Sequence, residues 1–145
     1  MADNTIRTND IIRGTYGRVW IDGELFANVK SFEAKLTLNY EEVDLSNDLG
    51  KHQRYMGFTG EGTMTLHKIN SQILAKLTKG IKSGDMPEIT IIGKLEDPTA
   101  LGAERISFSE VTIDEVMALK YENATIGEEE VPFKFADYEP IDLIK

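Results

Sequence analysis

The sequence predicts a mainly β fold, an antiparallel β-sandwich or open barrel of two sheets with one α-helix packed at an edge. Three observations carry this reading. Apolar and polar residues alternate with period two through most of the chain, only one segment has helical periodicity, and turn signals separate the alternating runs. The 145 residues, 41% of them hydrophobic, can fill one compact core but would stretch thinly over two, so residues 1–145 are expected to form a single domain.

Residues 1–13 have no periodicity and read as an N-terminal arm, ordered only where something holds it. Gly17 to Ile21 and Glu24 to Ala27 flank Asp22-Gly23, a pair suited to the positive φ angles of a two-residue type I′ turn, which predicts a hairpin. From Ser31 to Glu41, Phe32, Ala34, Leu36, Leu38 and Tyr40 share one face, opposite Glu33, Lys35, Thr37 and Asn39, so the strand should bury one side only. The stretch 42–57 is polar, contains a Ser-Asn-Asp turn signal, and is long for a connection; a mobile loop or protruding hairpin is expected. From Phe58 to Leu66 the strand pattern returns, with Gly60 and Gly62 on the apolar face, where they point to bending or to close backbone approach.

Residues 71–83 carry the helix. Ser71 can cap Gln72 to Lys82, Ile73, Leu74, Leu77 and Ile81 form a stripe, and Ser83, Gly84 and Pro87 end the segment. Glu88 to Leu95 reads as a strand, followed by a turn at 96–98 and a loop over 99–103. In the stretch 104–121 the apolar phase changes from Ile106 and Phe108 to Val111 and Ile113, then to Val116 and Ala118, which requires bulges or bends. The last strand, 128–137, alternates Val131, Phe133 and Phe135 with Glu130, Pro132 and Lys134. Pro132, having no N–H to donate, suggests an edge position or the strand's first residues.

Composition then restricts function. Twenty-five acidic against 16 basic residues give a formal charge of -9, which opposes a phosphate backbone and argues against sequence-specific nucleic-acid binding. The start is polar, without an export pattern, and no apolar run approaches the roughly 20 residues needed to span a bilayer, so a soluble protein with no membrane partner is expected. Cysteine is absent, which removes disulfides and thiolate chemistry. His52 and His67 have no nucleophile motif beside them, the glycines at 57, 60 and 62 do not join a strand to a helix, and Glu128, Glu129 and Glu130 alternate faces and cannot converge on one ion. No enzyme activity, metal or cofactor is predicted.

The order of parts is more specific than any single motif: arm, Asp-Gly hairpin, long polar segment, Gly-x-Gly strand, one helix, late acidic strands. Gly17-Arg18-Val19-Trp20-Ile21-Asp22-Gly23-Glu24, Ser31-Phe32-Glu33-Ala34, Gly60-Glu61-Gly62-Thr63, Glu104-Arg105-Ile106 and the ending Glu128 to Asp137 carry a resemblance that runs almost end to end. The chain resembles the tail tube proteins of contractile phage tails and phage-tail-like particles, in the branch found in defective prophages and bacteriocin-like particles of Gram-positive bacteria. Residues 41–57 and the arm match that layout by position rather than by sequence.

The resemblance implies a non-enzymatic building block that closes into hexameric rings and stacks them around a lumen for DNA, a tape-measure protein or ions. It further implies a sheath protein outside, a baseplate and a tail terminator at the ends, and assembly in the bacterial cytoplasm before incorporation into a virion or particle. On this layout Asp44, Leu45, Asn47, Leu49, His52, Arg54 and Tyr55 are candidates for contact between rings. Glu33, Lys35, Glu61, Glu130 and Lys134, on the polar faces of the long alternating strands, are candidates to line the lumen. The rival reading is a monomeric β-sandwich module that binds a glycan or peptide on a baseplate; it predicts an aromatic-lined cleft and no self-association.

Overall fold

The computed structural model describes residues 7–11, 13–14, 17–98 and 102–144. The arm's residues 1–6 and 12, and residues 99–101 of the expected loop, lie outside them. Seven strands and one helix follow in the order β1 (Gly17–Ile21), β2 (Glu24–Leu25), β3 (Val29–Asp44), β4 (Lys51–His67), α1 (Gln72–Ser83), β5 (Ile89–Glu96), β6 (Ala103–Ile113) and β7 (Glu128–Asp142). Asp22 and Gly23 both take positive φ, 52° and 82°, and place Trp20 opposite Leu25 and Ile21 opposite Glu24, as a type I′ turn requires.

All strands are antiparallel and belong to one ladder, β2-β1-β5-β6-β7-β4-β3. The two layers expected from the sequence are the two halves of this ladder folded onto each other. The Phe32 ring of β3 lies 6.0 Å from that of Phe108 in β6 and 5.7 Å from that of Phe133 in β7. A Cβ on Gly93 of β5 would touch Phe32, although β5 and β3 stand far apart in strand order. The roll leaves an open seam between β3 on one side and β1, β5 and β6 on the other. Inside it, Val19, Ile21, Ile89, Ile91, Phe108, Val111, Met64, Leu66, Val131, Phe133 and Phe135 form the core, joined by Phe26 and by Ile73 and Leu77 of α1.

The phase change in β6 is a bulge. Glu110 has φ 51°, and the register against β5 shifts between Ile89 and Ile91, so Phe108 and Val111 both reach the core. The strand stops at Ile113, opposite Phe133, and 114–127 is a loop; Val116 still packs on the core, whereas Ala118 is exposed. The last strand, expected over 128–137, runs on to Asp142, because β6 supplies partners as far as Arg105 opposite Asp142.

Pro132 does not mark an edge: β7 lies between β6 and β4. Its carbonyl accepts the Asp114 N–H at 2.9 Å. In an extended residue the N and O point to the same side, so the missing donor faces the end of β6 and costs the β4 ladder nothing.

Helix α1 differs from expectation at both ends of its stripe. Ser71 is the N-cap residue but makes no side-chain cap bond; Asn70 Oδ1 accepts the Gln72 N–H at 3.2 Å instead. Ile81 is exposed, and the buried position is Gly80, where a Cβ would sit 3.0 Å from the Asp85 carbonyl. Gly84, at φ 83°, closes the helix with its N–H on the Gly80 carbonyl at 2.8 Å. Among the described residues no helix is long and apolar enough to cross a membrane.

Candidate assembly surface

Beyond Ala34 the β3–β4 hairpin leaves the core. Residues 35–56 are exposed on both faces, and the segment expected as a loop or hairpin, 42–57, is a hairpin whose turn occupies only 45–50. Cross-strand pairs hold it: Lys51 reaches Asp44 at 2.8 Å, Tyr40 and Tyr55 meet edge to face at 5.8 Å, and Glu41 lies opposite Arg54. A bulge at Met56 and Gly57, with Gly57 at φ 138°, keeps the ladder closed on both sides of it. In the turn Asn47 is left-handed, and Asp48 accepts the Gly50 N–H at 2.9 Å and meets His52 Nε2 at 2.6 Å. The Gly50 bond first, then His52, holds the Asp48 carboxyl below its usual range.

The seven ring-contact candidates are therefore not one cluster. Leu45, Asn47 and Leu49 occupy the turn, His52 and Arg54 share a face with Val43 and Glu41, and Tyr55 and Asp44 lie on the opposite face. A second feature was not anticipated. The sequence pattern assigns Leu36, Leu38, Tyr40 and Phe58 to a buried face, yet all are exposed, because β1 and β5 do not extend far enough to cover them. Tyr138 of β7 joins them, edge to face on Phe58 at 5.9 Å. The available signal was length: β3 and β4, at 16 and 17 residues, outrun the five-residue β1 and eight-residue β5.

The five lumen candidates do come together. Lys35, Glu61 and Lys134 form one row across β3, β4 and β7, with Glu33 opposite Thr63 and Glu130 opposite Thr65 on the same face. Odd residues of β3, odd residues of β4 from Thr59 to Thr65 and even residues of β7 make this face, opposite Met64, Val131 and Phe133. Both of its lysines are paired, Lys35 Nζ 3.4 Å from Glu61 and Lys134 Nζ 3.8 Å from Asp114, while Glu33 and Glu130 make no salt bridge among the described residues. The wall is thus rich in threonine and only mildly acidic. Of the glutamate run, Glu128 pairs with Lys30 at 2.7 Å, the cause of its lowered pKa. Glu129 turns inward toward Lys68 at 3.6 Å, and Glu130 is exposed. Among the described residues no group of three or more His, Asp or Glu could hold a metal ion.

One described residue of the arm is held firmly. Arg13 donates from Nε and Nη2 to the buried Asp97 carboxylate, at 2.8 and 3.0 Å, and its backbone N–H adds a third bond at 3.1 Å. Arg13→Ala should lower stability by about 2 kcal/mol, less than the ~3–5 kcal/mol of a fully buried pair because the Arg13 side chain is 55% exposed. Arg13→Lys, a point charge in place of the fork, should recover less than half of that. Urea midpoints of the two variants and the unaltered protein check the order; an Arg13→Lys midpoint equal to that of the unaltered protein would mean that the fork geometry contributes nothing.

The described residues thus form a rolled seven-stranded sheet with one helix, a long uncovered edge hairpin and a polar wall. Over residues 4–142 the chain matches the phage tail tube protein family and belongs to it. Among its relatives, Phage-like element PBSX protein XkdM of Bacillus subtilis (strain 168) is 31% identical over 137 residues, covering 92% of each chain. The uncharacterized protein YqbM of the same strain is 31% identical over 143 residues, covering 97% of each. The fold also matches a chain in the PVC sheath-tube complex of an extracellular contractile injection system in its extended state. That likeness has a TM-score of 0.75 over 94% of this chain and 95% of that one, at 8% identity, a likeness of fold alone.

Proposed function

We propose that this chain is the inner tube subunit of a contractile phage tail or phage-tail-like particle, closing into hexameric rings that stack around a lumen. The observation that carries the reading, beside family membership, is β3: a 16-residue strand at the ladder's edge with apolar side chains exposed on its distal half. A long unpaired edge of this kind is a liability in a monomer, and pairing with a neighbouring copy removes it. The wall bearing Glu33, Lys35, Glu61, Glu130 and Lys134 then faces the lumen. Its paired lysines, open carboxylates and hydroxyls suit passage of DNA or a tape-measure protein: few cations are left free to hold a phosphate backbone by counterion release. The related sheath-tube complex supports a sheath around the outside, with baseplate and terminator at the ends.

Negative-stain microscopy of the concentrated protein tests the assembly: hollow tubes are expected, and a single monomeric species at every concentration would overturn it. The wall is tested separately, because the chain has no native cysteine. Glu33→Cys in preformed tubes should react with a small maleimide but resist a polymer-linked one too bulky to enter. Reaction with both places the residue outside, and reaction with neither places it in an interface.

A further inference from the structure

Helix α1 carries more positive charge than its own stability calls for. Residues 67–84 contain Lys68, Lys76, Lys79 and Lys82 and no acid, in a chain whose formal charge is -9. A helix dipole favours acids in the first turn and bases in the last, yet the first turn of α1 has no acid, so Lys82 alone follows that rule. Lys68 and Lys76 are paired, with Glu129 and Glu24, each at 3.6 Å. Lys79 and Lys82 are exposed and make no salt bridge among the described residues, whereas every other described lysine except Lys120 makes one. With Ala75 they form one row at i, i+4 and i+7, on the side of the helix away from the buried Ile73, Leu77 and Gly80. Exposed Ile81 adds apolar surface beside the row, and the acids Asp85 and Glu88 come only after the Gly84 turn that ends the helix.

We infer that the Lys79–Lys82 row docks an acidic segment of the sheath protein. The inference rests on the tube reading and names a face of the tube and the chemistry of its partner. Through Ile73 and Leu77, α1 packs on the core side of β4 and β7, and the polar wall lies on their other side. With the wall toward the lumen, the lysine row points away from it, where the sheath stands. An acidic partner gains from two unpaired ammonium groups in an acid-free stretch, while the chain's net negative charge opposes it over most of the remaining surface. That contrast fixes where the partner lands as well as how it is held.

Lysine acetylation read by mass spectrometry tests the placement on the full chain. Lys79 and Lys82 should react in bare tubes as they do in the monomer and lose that reactivity once the sheath protein of the same particle is added; protection already present in bare tubes would put the row between copies and overturn the inference. Substitution tests the chemistry. Lys79→Gln combined with Lys82→Gln changes exposed positions only, so tubes should still form, but coating half of them should take at least ~10-fold more sheath protein. Lys79→Arg combined with Lys82→Arg should coat like the unaltered chain, which separates charge from shape. A poly-glutamate peptide should compete with the sheath on bare tubes; duplex DNA bound there in preference to it would overturn the choice of an acidic protein segment. Equal coating of the glutamine variant overturns the docking row and leaves the tube reading standing. If the unaltered chain forms no tubes at all, both fall.

Discussion

Gly62→Ala should cost about 3 kcal/mol, and Gly62→Val should leave little folded protein at 37 °C. A Cβ at Gly62 would collide with the Glu33 backbone carbonyl on one side and the Phe133 ring on the other, and Phe133 is fully buried. The carbonyl cannot yield without tearing the β3–β4 ladder, so the cost falls at or above the usual ~1–3 kcal/mol of overpacking, against total stabilities of only ~5–15 kcal/mol. For a chain of this size that is a fall of roughly 6–12 °C in Tm for the alanine variant. Gly60 makes an instructive contrast. The three atoms nearest its Cβ would all belong to the Phe135 ring, which is side chain throughout. Phe135→Leu should therefore rescue Gly60→Ala in part, while Phe133→Leu should not rescue Gly62→Ala. Gly14→Ala, with nothing within 4 Å, should be neutral. A double-mutant cycle from thermal melts decides it; equal rescue at both positions would mean that the backbone carbonyl is not the obstacle.

Local chemistry made much of this fold legible in advance. The Asp22-Gly23 hairpin, the Gly84 helix end, the close approach at Gly60 and Gly62 and the bulge near Glu110 each follow from residues whose backbone or side-chain demands are satisfied within a few neighbours. What the sequence did not convey depends on which strand lies beside which. Pro132 reads as an edge residue until β6 is seen to end at its level. The apolar run Leu36, Leu38 and Tyr40 reads as core because alternation reports that a face is apolar, not that another layer is long enough to cover it. Ile81 reads as part of the helix stripe because glycine carries no hydrophobic signal, although Gly80 takes the buried place. The N-terminal arm gave no sign of the Arg13 anchor, since Arg13 and Asp97 are 84 residues apart.

Replacing residues 41–54 by Asn-Gly should separate folding from assembly completely. The cut is set by the register: Tyr40 faces Tyr55, so a two-residue type I′ turn can join them without shifting any pair nearer the core. Every residue removed is exposed, and the buried set begins only at Gly60 on β4. The variant should therefore melt within about 2 °C of the full chain, as exposed changes remote from a core do. Assembly should fail outright. The replacement removes the turn with Leu45 and Leu49, the His52 and Arg54 face, and about a quarter of β3, the edge on which lateral pairing depends. Sedimentation should find no tubes at about 100 times the critical concentration of the full chain, and the variant should not extend preformed tube ends. Normal tubes from it would show that neither the distal hairpin nor its turn is an assembly element, and the contacts would then have to be sought along the seam between β3 and β1.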